Sequence, residues 1–354
     1  MVGTAEQCHG VTAMTESIFF VEESNPKKKM WSRFCCSKSN VVLFLISVIL
    51  TQWLIFYQEY HKWQAFQEKW NNYISELSDV QTKISRINEL EGKIADIKSR
   101  PTIYAITPTF ARPVQKAELT RLAQTFLHIF NFHWIVVEDS VKKTDLVTNF
   151  LAQSRLAYTH LNVSTPPNYK LGKNDPNWKK PRGVEQRNAA LRWIRESLTQ
   201  DDNGIVFFAD DDNTYSIKLF REMEKIKTVG VWPVGLVGGL MVEKPICDNV
   251  TRKVVGFNSV WKPDRPFPLD MAGFAVNLRL ILEHKNAWFS FTVQSGYQES
   301  EILRQMIPGI EHLEPLADFC TKVYVWHTRT EPPKLNDEQL LIKKGKPSNA
   351  GIEV

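Results

Sequence analysis

The hydrophobic pattern changes character twice along the chain. From Val41 to Tyr57 it reads VVLFLISVILTQWLIFY, 17 residues without a charge. That reaches the roughly 17–25 apolar residues a membrane-spanning helix needs. Ser47 and Thr51 can bond back to their own helix, Gln52 is the one awkward residue, and Trp53, Phe56 and Tyr57 suit a membrane–water interface. A buried core helix or the apolar part of a cleaved signal peptide shares such a pattern. A signal peptide, however, lies at the N-terminus and ends at a small-residue site. This run begins at residue 41 and ends in aromatics, so it predicts a transmembrane signal-anchor over 41–57.

A second pattern follows. Trp63, Phe66, Trp70, Tyr73, Leu77, Val80, Ile84, Ile87, Leu90, Ile94 and Ile97 are spaced three and four apart by turns, with one stammer between Ile84 and Leu90. No proline falls between Trp63 and Arg100. A sustained heptad seam predicts a helical coiled-coil stem over 58–100 that pairs two copies. A single helix packed on its own domain is the alternative.

Pro101 ends that pattern, and from there strand and helix periods alternate. Thr102–Thr107, Trp134–Glu138 and Ile205–Ala209 are short buried-strand runs; Lys116–Leu127, Thr144–Ala157 and Glu185–Leu198 carry helical faces. Short strands and turns follow from Val231 to Trp261, and Asp270–His284 reads as strand or helix. Alternation of this kind predicts an α/β domain over 101–354 with a mostly parallel sheet.

Charge sets orientation. Lys27, Lys28, Lys29, Arg33 and Lys38 precede the span, and no acidic residue lies between Pro26 and Asn40. Beyond it, Lys62 and Lys69 are offset by Glu59 and Glu68. The positive-inside rule makes 1–40 a cytosolic tail, which lacks periodicity and reads as mostly disordered, and puts the rest in a lumen. This is a single-pass type II membrane arrangement. Cys35 and Cys36, beside the membrane, are candidates for palmitoylation, though idle thiols are the plainer reading. Only Cys247 and Cys320 fall on the lumenal side; they can form one disulfide if the fold brings them together. Asn162-Val-Ser164 and Asn249-Val-Thr251 are glycosylation acceptors for such a compartment. The formal charge of +5 over 354 residues, with no long basic run in the folded part, argues against a nucleic-acid partner.

The chemistry concentrates at Asp210-Asp211-Asp212, which follows an apolar strand. Three adjacent carboxylates repel one another, and a cation relieves that repulsion. Ligands of open α/β sheets gather at strand C-termini. Hard oxygen ligands suit Mg²⁺ or Mn²⁺, with substrate phosphates completing the shell. A solvated acidic turn is the plain alternative. Arg182 and Arg187 open a helix, and a helix N-terminus with arginine is a good anion site. His327 and Arg329 alternate around Thr328 and can face one side of an extended segment after a strand at Lys322–Val325. Together these supply a metal and cations for a diphosphate leaving group. A base is also needed if a sugar hydroxyl attacks. Glu243, Asp270, Glu299 and Glu301 are candidates, and spacing does not choose among them.

Residues 101–331 resemble the animal β-1,3-glucuronosyltransferases, inverting metal-dependent enzymes with a GT-A nucleotide-sugar-binding fold. The stretches that carry the likeness are Pro-Thr-Ile-Tyr at 101–104, Val-Glu-Asp at 137–139, Arg-Gly-Val-Glu-Gln-Arg-Asn at 182–188, Phe-Ala-Asp-Asp-Asp-Asn-Thr-Tyr at 208–215, Trp-Pro-Val-Gly-Leu-Val-Gly-Gly-Leu at 232–240, Asp-Met-Ala-Gly-Phe-Ala-Val at 270–276 and Val-Trp-His-Thr-Arg-Thr-Glu at 325–331.

The resemblance implies a role for each matching position. UDP-glucuronate is the implied donor, Mn²⁺ the implied cofactor, and a galactose-terminated glycan on a glycoprotein or proteoglycan the implied acceptor. Asp139 answers to the uracil-binding aspartate, Asp210 and Asp211 to the nucleoside-binding pair, and Asp212 to the metal ligand. Arg182, Arg187, His327 and Arg329 answer to the donor-binding cations, Glu299 to the catalytic base, and Glu243, Arg265 and Asp270 to the acceptor-binding residues. The family's Thr-Pro-Thr-Tyr motif reads Thr107-Pro-Thr-Phe110 here, so Phe110 can stack on uracil but lacks the hydroxyl hydrogen bond. A homodimer in the Golgi membrane is the implied setting.

The acceptor is read from Trp261, a broad platform for a sugar's apolar face. Trp at this place, just before Arg265 and Asp270, resembles enzymes that cap the Gal-Gal-Xyl linker of proteoglycans. Asn277-Leu-Arg-Leu-Ile-Leu282 and Gly296-Tyr-Gln-Glu-Ser300 resemble enzymes that cap N-acetyllactosamine. The linker is the preferred reading. The rivals are a transferase for another UDP-sugar and an inactive glycan-binding relative.

Overall fold

The computed structural model describes residues 38–172, 175–176 and 179–354. The tail expected over 1–40, with Cys8, Cys35, Cys36 and the basic flank up to Arg33, therefore lies almost wholly outside the described residues. The chain divides into two compact units, Met1–Ser85 and Arg86–Val354.

Helix α1 runs without interruption over Lys38–Ser99, 62 residues. It contains one stretch long and apolar enough to cross a membrane. The two hydroxyls in that stretch satisfy themselves on their own helix, Ser47 donating to the Phe44 carbonyl at 2.8 Å and Thr51 to the Ser47 carbonyl at 3.0 Å. In the later part of this first unit, seam residues such as Trp63, Phe66, Trp70 and Tyr73 are exposed along the helix.

The second unit is built on a seven-stranded sheet. Its elements are β1 (Thr102–Thr109), α2 (Gln115–Phe126), β2 (Phe132–Glu138), α3 (Asp145–Gln153), β3 (Ala157–Asn162), α4 (Val184–Ser197) and β4 (Gly204–Phe208). Next come β5 (Thr214–Tyr215), α5 (Ile217–Met223), β6 (Val229–Val231), β7 (Val234–Val237), β8 (Leu240–Cys247) and β9 (Val254–Asn258). The chain continues through β10 (Phe274–Asn277), α6 (Leu278–Glu283), α7 (Gln298–Arg304), β11 (Leu313–Pro315) and β12 (Val325–Trp326), with a last helix at Asn336–Lys343. The main sheet runs β11-β6-β10-β4-β1-β2-β3, and a second sheet runs β5-β12-β7-β8-β9. Strands β4, β1, β2 and β3 are mutually parallel, whereas β10 is antiparallel to both neighbours. The fold is thus mixed α/β, with a mostly parallel main sheet.

Period-two alternation explains why the strands are apolar almost throughout. Tyr104 and Ile106 of β1 face one core with Ile135, Val137, Val206 and Phe208, beneath Leu191 and Ile194 of α4 and Ile281 of α6. Ile103 and Ala105 face the other, with Trp134, Val136 and Phe207, beneath Leu122 and Phe126 of α2, Leu151 of α3 and Phe220 of α5. A sheet covered on both faces has no polar side to show. Each such Leu, Ile or Phe contributes roughly 1.5–3 kcal/mol on burial. Buried Trp134 keeps its N–H satisfied by donating to Thr107 Oγ1 at 2.9 Å.

Three expected elements differ in extent. The helix read over Thr144–Ala157 stops at Gln153; Arg155 turns the chain with φ of 61° and β3 follows. Strand β3 mixes Tyr158, His160 and Asn162 with few apolar residues and pairs on one side only, so its pattern is weak. Asp270–His284 is strand and helix in succession, β10 then α6. The strand read over Lys322–Val325 is Val325–Trp326.

Ahead of β12, Ala317, Asp318, Phe319 and Cys320 take φ of 54°, 55°, 55° and 59°, a left-handed turn without glycine. Such backbone costs about 1–2 kcal/mol per residue, so its surroundings must hold it.

Candidate active site

Strands β4, β1 and β2 end side by side, and the backbone bonds there are direct. The Ala209 N–H donates to the Ile106 carbonyl at 2.8 Å and the Asp139 N–H to the Thr109 carbonyl at 2.7 Å. That common edge brings together Thr109, Asp139 and Asp210-Asp211-Asp212. Side chains hold the triplet's backbone: Tyr215 Oη donates to the Asp210 carbonyl at 3.0 Å, and Thr328 Oγ1 and Arg121 donate to the Asp212 carbonyl at 2.6 and 2.9 Å.

The three carboxylates meet different surroundings. Asp210 pairs with Arg187 at 2.6 Å. Asp211 is buried, accepts a hydrogen bond from Thr109 Oγ1 at 2.7 Å and lies 2.6 Å from Arg112. Burial pushes its carboxyl up to about 6, against the pull of Arg112. Asp212 is half-buried, and among the described residues its carboxylate accepts no hydrogen bond and makes no ion pair. Burial and the charge of Asp210 push it upward.

Arg187 owes its position to Gly183. Gly183 sits at the N-terminus of α4 with φ of 71°, and Arg187 Nη1 reaches back to the Arg182 carbonyl at 2.9 Å. A Cβ on Gly183 would stand 2.5 Å from Arg187 Nη1. Arg182 and Arg329 are exposed, with no ion pair among the described residues. Asp139 accepts from the Thr165 N–H and Oγ1, both at 2.7 Å. Phe110 is 48% exposed, and the Arg112 guanidinium lies 4.5 Å from its ring centre.

The second sheet supplies the other half. Its β7–β8 hairpin closes on Gly238 and Gly239, with φ of 61° and 80°, as a two-residue turn with left-handed centres requires. Glu243 on β8 is buried, accepts from Ser259 Oγ at 2.6 Å and is pushed upward by burial. His327 continues β12 by donating its N–H to the Gly235 carbonyl at 2.9 Å, and its Nδ1 lies 3.2 Å from Asp270. That contact raises the imidazole's pKa. Burial pushes Asp270 up, but His327 and the Ala272 N–H outweigh it and leave the carboxyl below its usual range.

Glu299, in the first turn of α7, lies 3.7 Å from buried Arg265, whose Nη1 donates to the Gly296 carbonyl at 2.9 Å. Burial and then the charge of Asp270 push Glu299 up to about 7, against Arg265 and Arg187. Trp261 is 42% exposed and packs between two glycines: a Cβ on Gly296 would lie 2.6 Å from its Nε1, and one on Gly238 3.8 Å from its Cβ. The two halves act on each other electrostatically. Arg187 bears on Glu299, and His327 on Asp212. Asn162 is half-buried, its amide donating to the Ser140 carbonyl at 3.2 Å, whereas Asn249 is exposed in the turn after β8.

The site thus sets cation-paired aspartates beside a partly buried carboxylate pushed up to about 7. Residues 122–331 match the sequence profile of Glycosyltransferase family 43. The chain belongs to this family. It is 56% identical over 258 residues to galactosylgalactosylxylosylprotein 3-beta-glucuronosyltransferase I of Drosophila melanogaster, covering 72% of this chain and 84% of that protein. It is 51% identical to galactosylgalactosylxylosylprotein 3-beta-glucuronosyltransferase sqv-8 of Caenorhabditis elegans, covering 73% and 75%. It is 54% identical to galactosylgalactosylxylosylprotein 3-beta-glucuronosyltransferase 1 of Homo sapiens, covering 67% and 72%. This family 43 chain is therefore a glycosyltransferase.

Within this family 43 site, sequence reasoning passed over Arg112, Thr109, Arg121, Thr328 and Gly183. Arg112 contacts both Asp211 and buried Glu118 and covers Phe110. Its signal was available: it follows β1 directly, beside the aspartate edge. Glu301, weighed as a base, instead pairs with Arg304 on its own helix at 2.5 Å. Among the described residues no three acidic, His or Cys side chains converge as a metal site. The donor set nevertheless fits a hard cation: Asp212 offers an unpartnered, partly desolvated carboxylate beside Asp210.

Proposed function

We propose that this family 43 chain transfers glucuronate from UDP-glucuronate, with inversion, to the 3-hydroxyl of a terminal galactose, the acceptor being the Gal-Gal-Xyl linker of proteoglycans. The observation that carries the reading is Glu299, a desolvated carboxylate with its proton affinity raised to about 7, beside Arg265 and within the field of Arg187. The names of the relatives support the choice of sugar and linker.

Glu299 takes the proton of the galactose 3-hydroxyl as that oxygen attacks the anomeric carbon. Glu243, Arg265 and Asp270 orient the acceptor, and Trp261 offers its face to the sugar ring. Asp139 takes the uracil edge and Phe110 its face. Asp210 and Asp211 hold the nucleoside. Arg187, Arg182, His327 and Arg329 receive the diphosphate and the glucuronate carboxylate, a group arginine can grip with two parallel hydrogen bonds. Asp270 keeps His327 cationic further up the pH range. Asp212 would hold Mn²⁺. When bound, that cation neutralises charge on the departing UDP.

In the same reading, 41–57 anchors the chain in the Golgi membrane as a type II protein, 58–100 pairs two copies as a stem, and 101–354 works in the lumen, with Asn162 and Asn249 as glycan acceptors. The deciding experiment is a donor-by-acceptor screen of the purified full-length protein with and without Mn²⁺. UDP-glucuronate with Gal-β1,3-Gal should be the fastest pair. A faster rate with UDP-galactose, or UDP release indifferent to acceptor, would refute the assignment.

A further inference from the structure

The two cysteines of the second unit stand 73 positions apart in the chain, at 247 and 320. Folding brings them together. Cys247 ends β8, and Cys320 closes the left-handed turn ahead of β12. Both thiols are free in the structure, and the turn at Ala317–Cys320 packs against β8. Cys320 is buried, its N–H donates to the Leu316 carbonyl at 2.7 Å, and its Sγ lies 3.8 Å from the Val231 carbonyl.

A second contact spans the same gap. The Arg252 guanidinium, from the turn joining β8 to β9, lies 3.7 Å from the centre of the Phe319 ring. The hairpin end and the left-handed turn are therefore apposed over at least two residues each. Four consecutive non-glycine residues at positive φ persist only where their neighbours over-determine them. One cation–aromatic contact and a thiol pair are what the hairpin offers here.

We propose that Cys247 and Cys320 are joined by a disulfide in the mature protein, clamping the end of β8 to the turn that leads into β12. The bond ties the strand carrying Glu243 to the segment that delivers His327 and Arg329. It rests on the lumenal placement in the functional reading, since disulfides form and persist in oxidising compartments. Each thiol gives up a proton and one electron, an S–S bond forms, and the disulfide of a lumenal exchange partner is reduced to two thiols.

The test uses full-length protein made in a secretory eukaryotic host and solubilised in detergent. The protein is denatured in excess alkylating agent without reductant, digested and analysed by mass spectrometry. A peptide pair linked through Cys247 and Cys320, lost on reduction, is the expected result. Recovery of both residues alkylated without reduction overturns the proposal. Melting temperature provides the independent arm. Cys247→Ser, Cys320→Ser and the double variant should fall by the same amount, about 5–10 °C, and reductant should lower the wild type to their level while leaving them unchanged. Unequal, additive losses with a wild type indifferent to reductant would also overturn it. Transfer activity is scored separately: an inactive but linked protein sinks the glucuronosyltransferase reading and leaves the disulfide, whereas an active protein with free thiols does the reverse.

Discussion

The proposed donor edge and the proposed acceptor half of the site are both lined by acids, yet Asp210 and Asp211 in the first are paired more closely than Glu299 in the second. At the donor edge Asp210 and Asp211 each have an arginine within ion-pair distance, 2.6 Å in both cases. In the acceptor half Glu299 has its arginine at 3.7 Å and a like charge, Asp270, acting against it. Close pairing fixes geometry, which suits gripping a nucleotide, although burial still pushes Asp211 up to about 6. Loose pairing with burial leaves a carboxylate whose proton is nearly free to move at neutral pH, which suits a base. The number of acids therefore says little: burial, neighbouring charge and the distance to a cation together set each carboxylate's proton affinity.

The sharpest break of that contrast is Glu299→Gln. It keeps shape and hydrogen bonding but removes the proton acceptor, so turnover should fall by roughly 10²–10⁴ while UDP binding by calorimetry stays intact. Near-normal turnover would remove Glu299 from the mechanism. Next comes Asp212→Ala, or chelation of the wild type. Either should cost about 10²–10³ in rate, the scale of losing one preorganised electrostatic partner, and UDP binding should lose its dependence on Mn²⁺. Chelator-resistant activity would end the metal assignment.

Arg187→Ala opens the tight pair on the donor side. It should cut UDP-glucuronate use more than UDP affinity, and lower stability by less than the roughly 3–5 kcal/mol of a fully buried broken pair, because Asp210 keeps some contact with water. Equal losses in both assays would assign Arg187 to the diphosphate alone.

A pH profile sharpens the comparison from the other side. The base works deprotonated and Glu299 sits at about 7, so kcat/KM should rise through that pH, by about tenfold between pH 6 and 8. Removing the negative charge of Asp270 lowers the Glu299 pKa, so Asp270→Asn should move the limb to lower pH. A limb that stays in place would show that another group titrates. The smallest effect belongs to Trp261→Phe. The preference for Gal-β1,3-Gal over Gal-β1,4-GlcNAc should narrow by a few-fold, within the roughly 0.5–1.5 kcal/mol of an aromatic contact. A wild type that prefers Gal-β1,4-GlcNAc would discard the linker while keeping the transferase.

Much of this was written along the chain. The charge-free run at 41–57, the seam from Trp63 to Ile97, and the apolar runs of β1, β2 and β4 each carry a period that local sterics and burial impose, so α1 and the parallel core were legible. Asp210-Asp211-Asp212 was legible because it follows β4 directly, and a sheet's strand ends are where ligands gather. Strand β3 was not, since an edge strand with Tyr158, His160 and Asn162 has no clean alternation. Arg112 was passed over because one arginine after a strand looks like any surface charge until Asp211 and Glu118 are seen beside it.

What the sequence determined by itself is local: which segments are apolar, where each element begins, and which residue types are present for metal, cation and base chemistry. What tertiary structure alone decided is who stands next to whom. Four carboxylates, Glu243, Asp270, Glu299 and Glu301, looked interchangeable as bases in the chain. The fold pairs Glu301 with Arg304 on its own helix, ties Asp270 to His327, bonds Glu243 to Ser259, and leaves Glu299 desolvated at 3.7 Å from Arg265. A carboxylate's proton affinity is set by desolvation and by charges a few ångströms away, and those distances join residues as far apart in sequence as Asp270 and His327. No local pattern encodes them.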